Sequence, residues 1–139
     1  MVEPLPLLLR LAGVSLVALA AVHAAFPRWF RWRERLSRLG LLDRQLMHVH
    51  TLFVALAVGF LGVLTLVAAA HLEDGGPLLP VFLAGSCTFW AARLVVQLFV
   101  FRPLLWRGHS GRTAIHVALV VAWALLTGLY AWAFVKVAA

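Results

Sequence analysis

The chain has 139 residues, of which 64% are hydrophobic and only 12% charged, against about 45–50% apolar and about 25% charged in an ordinary soluble domain. Its formal charge of +7 resembles a nucleic-acid signal until its distribution is read. Eleven of the twelve basic residues are arginine, and nine of those fall in two short segments between apolar runs, a pattern of membrane topology rather than nucleic-acid binding. The composition leaves no room for a separate soluble domain and predicts one transmembrane helical domain over residues 1–139.

Four apolar runs follow in chain order, at about 5–26, 45–70, 78–101 and 113–137. Each has about the 20 residues that cross ~30 Å of hydrocarbon, and backbone groups in lipid must pair within their own segment. The expected fold is therefore all-α: an integral membrane four-helix bundle. The first run is long for a signal h-region and reads as a spanning helix rather than a cleaved leader.

The link after the first run carries Arg28, Arg31, Arg33, Arg35, Arg38 and Arg44. Trp29, Trp32, Leu36 and Leu39 recur among them at helical spacing, which predicts a short amphipathic helix near 28–39 lying in the headgroup layer and stopped at Gly40. Anionic lipid headgroups are the expected partners of the 28–44 segment, with topology anchoring as the plainer role of the same arginines.

The second link, His71 to Gly76, holds no Lys or Arg, whereas the third holds Arg102, Arg107 and Arg112. Pro77 and Pro80 suit the first turn of the helix that follows. The arginine asymmetry predicts cytoplasmic links one and three, and both termini on the non-cytoplasmic side of a cytoplasmic (inner) membrane.

The third run contains the anomaly. Arg93 in the hydrocarbon costs about 2.5–3.5 kcal/mol on insertion scales, and Ser86, Trp90, Arg93 and Gln97 share one helical face. With the predicted orientation, Gln97 and Arg93 lie about 8 and 14 Å above Arg102 at ~1.5 Å per residue. His23, His48 and His116 fall in the same leaflet. Turned inward, these faces would gather His23, His48, Arg93, Gln97 and His116 in one polar pocket, with Trp90 as a wall. His50 points about 160° away from His48 and is expected to be a bystander.

Absences narrow the chemistry. No Asp or Glu lies within the hydrocarbon part of any run, which argues against a di-iron carboxylate site. No phosphate loop, HExxH or Ser–His–Asp set is present. The single Cys87 has no partner for a disulfide or a cysteine metal site.

Three functional readings survive. The first is a redox component binding haem b, with His48 and His116 as the iron ligands and Arg93 or Arg44 paired with a propionate. The second is a quinone or similar amphiphile held by a histidine and Gln97, alone or beside haem. The third is a non-catalytic accessory subunit of a larger membrane complex, or a homo-oligomer, in which the polar cluster fixes helix register. A three-histidine zinc site from His23, His48 and His116 ranks below haem, because only Asp43 could serve as a carboxylate second shell.

Overall fold

A computed structural model describes residues 4–138. They contain no strand, and run as α1 (Pro4–Trp29), α2 (Trp32–Arg35), α3 (Leu41–Ala70), α4 (Leu78–Phe99), a 3-10 turn (Pro103–Leu105) and α5 (Ser110–Ala138). Four of these helices are long and apolar enough to cross a membrane. Even the shortest, α4 with 22 residues, extends about 33 Å at 1.5 Å per residue. The chain is a multi-pass membrane protein by this criterion. It divides into two compact units, one ending at Ala70 and the other beginning at His71.

In the first unit α1 packs on α3. Leu5, Leu9, Ala12 and Leu16, spaced to form one stripe, are buried, as are Val58, Gly62 and Thr65 on α3. A Cβ placed on Gly62 would lie 2.9 Å from both the Gly13 carbonyl oxygen and the Val17 nitrogen, and one on Gly59 would lie 3.2 Å from the Ala20 Cβ. The two backbones therefore touch where side chains are absent, as small residues allow between apolar helices. The partners advance on α1 as they retreat on α3, so the pair is antiparallel.

The link between them differs from the expected helix near 28–39. Helix α1 continues through Pro27 to Trp29, Arg31 then turns left-handed (φ 50), and only the single turn of α2 follows. A left-handed residue cannot lie within an α-helix, so the apolar periodicity of Trp29, Trp32, Leu36 and Leu39 runs across a break. Arg31 ion-pairs with Glu34 at 2.7 Å across that turn. Gly40 precedes α3 rather than ending a helix.

In the second unit α4 and α5 are also antiparallel. Phe82 meets Tyr130, Trp90 meets Trp123 and Gln97 meets His116. Cys87 Sγ donates to the Thr127 carbonyl at 3.7 Å. The connecting turn is tied down by Thr113, whose hydroxyl reaches the carbonyls of Trp106 (2.9 Å) and His109 (3.1 Å).

Candidate functional site

Four of the expected site residues, Trp90, Arg93, Gln97 and His116, join one continuous chain of contacts in the second unit. Trp90 and Trp123 stack with ring centroids 5.0 Å apart. The Arg93 guanidinium carbon lies 5.4 Å from the Trp123 ring centroid and 5.9 Å from that of Phe101, inside the range where a cation is attracted to a ring face. Arg93 Nη1 donates to Gln97 Oε1 at 3.5 Å, and the Gln97 side-chain amide sits 2.9 Å from His116 Nδ1. Trp106 covers one face of His116, centroid to centroid 3.8 Å and nearly parallel. Trp90 and Gln97 are buried, and Arg93 and His116 half-buried.

The polarity of this chain follows from Arg93. A guanidinium has donors only, so the oxygen of the Gln97 amide faces it and the NH2 faces His116. His116 Nδ1 then accepts, and the neutral ring carries its proton on Nε2. Arg31–Glu34 and His71–Asp74 form ion pairs, and Arg93 belongs to neither. Its charge is met by the ring faces of Trp123 and Phe101 and by an amide oxygen.

His116 and Gln97 line a cleft of about 180 Å³ together with Phe101, Leu105, Trp106 and Arg112. Further along the helix pair, Ser86 Oγ, Trp90 Nε1 and Trp123 Nε1 are buried without a hydrogen-bond partner. Three such orphaned donors are uncommon, since each forfeits about 1–3 kcal/mol of solvation.

The other expected residues, His23, Arg44 and His48, belong to the first unit. His48 Nδ1 lies 2.7 Å from the Arg44 carbonyl, and His23 Nδ1 lies 2.7 Å from that of Leu19. A carbonyl only accepts, so both rings donate from Nδ1, and in the neutral form each keeps its lone pair on Nε2. His48 is exposed, with Trp32 edge-on at 5.3 Å. His23 packs on Phe26 of its own helix, 4.6 Å between centroids. An open groove of about 880 Å³ beside them is lined by Arg28, Arg33, Arg44, His48, Trp32 and Leu36, among others.

The residue order concealed several participants. Trp123 lies one helix away from Trp90, and no spacing within either helix reports that the two rings stack. Trp106 sits in a turn whose geometry has no periodic signal. Arg28 and Arg33 were part of a charge run with nothing to separate them from their neighbours. Among the described residues no group of three or more His, Cys, Asp or Glu side chains could hold a metal ion.

Compared with protein-family models, curated proteins and solved structures, the chain matches none.

Proposed function

We propose that the chain is a quinone-binding component of a membrane redox system, with His116 and Gln97 as the polar end of the site. The observation that carries this reading is the direction of the Arg93–Gln97–His116 chain, which makes Nε2 of His116 an N–H donor. A quinone carbonyl needs such a donor. Trp106 and Phe101 offer flat apolar walls, Arg112 offers a second donor, and the positive charge of Arg93 favours the negative charge that a quinone takes on when it is reduced. A cleft of about 180 Å³ suits one ring and not a tetrapyrrole. Electrons would come from a membrane partner.

The nine arginines of links one and three, against none in link two, support an orientation with those links cytoplasmic and both ends of the chain outside, in a cytoplasmic or inner membrane. The site then lies in the cytoplasmic leaflet.

The test is titration calorimetry of the detergent-purified protein with a short-chain quinone analogue. Saturable binding weakened at least about tenfold, the size of one lost hydrogen bond of about 1.4 kcal/mol, in both His116→Leu and Gln97→Leu is expected. Absence of saturable binding, or equal affinity in those variants, overturns the reading.

Haem b is a second proposal, and His48 is the residue that favours it. Its Nε2 lone pair is free, and Arg28, Arg33 and Arg44 beside it would suit propionates. His116 suits it less, because ligation would require the Gln97 amide to reverse so that Nε2 loses its proton. An absorption spectrum after haem supplementation decides: no Soret band, or a band unaltered by His48→Ala and His116→Ala, rejects it.

A further inference from the structure

The arginine-bearing link does more than mark a membrane face. The groove between the end of α1, the turn of α2 and the start of α3 is lined by Arg28, Arg33 and Arg44 with no acidic residue. Glu34, the acid nearest in sequence to Arg33, is engaged with Arg31 at 2.7 Å. Arg44 Nε is buried and has no hydrogen-bond partner, so one donor of the cluster is held out of water and left unused. Half-buried Trp32 and Leu36 add an apolar part to the groove's lining.

A second groove of about 790 Å³ runs further along the same two helices, between Ala20 and Ala24 of α1 and Leu52, Phe53, Leu56 and Phe60 of α3. It has no charged residue. The two grooves share Ala24, so a basic compartment adjoins an apolar one. That order of polarity, from the link toward the middle of the membrane-spanning helices, is the order of an anionic phospholipid: phosphate, glycerol, acyl chain.

We infer that the first unit carries a specific binding site for one anionic phospholipid. Arg28, Arg33 and Arg44 hold the phosphate, and the Ala20–Phe60 groove takes an acyl chain. Phosphate oxygens match the planar donor fork of arginine, which can bond two at once. The apolar groove distinguishes this occupant from haem, whose propionates the arginines would also suit: it holds no histidine to ligate iron, and an acyl chain needs none. The inference stands on the first unit alone and is independent of the quinone site.

Native mass spectrometry of the full chain in detergent, supplied with phosphatidylglycerol or phosphatidylcholine, tests it. One phosphatidylglycerol is expected to be retained in preference to phosphatidylcholine. Replacing Arg28, Arg33 and Arg44 together by glutamine should lower that affinity about 100-fold, from about 1 kcal/mol for each arginine near the lipid. Removing Arg35, Arg38 and Arg102 takes away the same charge outside the groove with the Arg31–Glu34 pair intact, and should change it less than about threefold. Ala24→Trp, an exposed position at the junction, should block retention while circular dichroism shows the helices intact. Equal loss in the two triple variants would mean a diffuse charge effect and overturn the site. Displacement of the lipid by excess inorganic phosphate would assign the arginines to free phosphate and overturn the lipid. A Soret band lost in His48→Ala would hand the groove to haem.

Discussion

Gln97 hands an N–H to Nδ1 of His116 across 2.9 Å, and the direction of that bond is imposed from the far side of the amide by Arg93. Nitrogen-15 spectra of the histidine side chains should therefore show neutral His116 as the Nε2–H tautomer. In Gln97→Glu the carboxylate can only accept, so the ring should switch to Nδ1–H. Finding Nδ1–H in the unaltered protein would undo the assignment of Nε2 as donor.

Arg93 sets up two opposed effects. Arg93→Leu should ease membrane insertion by up to about 2.5–3.5 kcal/mol. The folded protein should nonetheless lose about 1–3 kcal/mol, because the Gln97 oxygen loses its donor and Trp123 its cation. Arg93→Lys should recover part of that loss. An insertion assay read beside an unfolding titration separates the terms. A leucine variant as stable as the parent would mean that Arg93 simply reaches toward the interface.

Much of this was legible in the residues. The four spans were clear because the bilayer sets a length that apolar runs either meet or miss. Ser86, Trp90 and Gln97 are indeed on the buried face of α4, since helical spacing alone assigns faces, whereas matched depth grouped Gln97 with three histidines and did not single out His116. The first link was misread because hydrophobic periodicity carries no information about the left-handed turn at Arg31. The contacts of His48 were invisible too. It bonds to the carbonyl of its own preceding turn, which satisfies the ring without any partner helix and which no spacing rule reports.

The close approach of α1 and α3 makes glycines unequal. Gly62→Ala puts a Cβ against two backbone atoms that cannot swing aside and should destabilise by about 1–3 kcal/mol. Gly128 is helical and faces open space, so Gly128→Ala should stabilise by up to about 1 kcal/mol through helix propensity. Unfolding in mixed micelles compares the two, and similar effects for both would refute close packing at Gly62.

Trp106 depends on a turn rather than a helix. Trp106→Ala should leave the Gln97–His116 bond in place, so the tautomer spectrum is unchanged, while quinone-analogue affinity falls about tenfold with the loss of the stacking wall. Thr113→Val, which removes the hydroxyl held by the Trp106 and His109 carbonyls, should have a smaller effect in the same direction. If Trp106→Ala alters the tautomer as well, the stack and the hydrogen bond are one unit.

The pairs 82/130, 87/127, 90/123 and 97/116 make the α4–α5 pair behave like a zip with one tooth alignment. One alanine inserted between Arg93 and Gln97 would rotate everything beyond it by about 100° and shift it by about 1.5 Å. Trp90 would keep Trp123, while Gln97 would turn away from both His116 and Arg93. The same insertion placed before Phe82 would leave all four teeth engaged. Insertion tolerance along α4 should thus fall abruptly rather than gradually, with its edge at the first residue that crosses to α5.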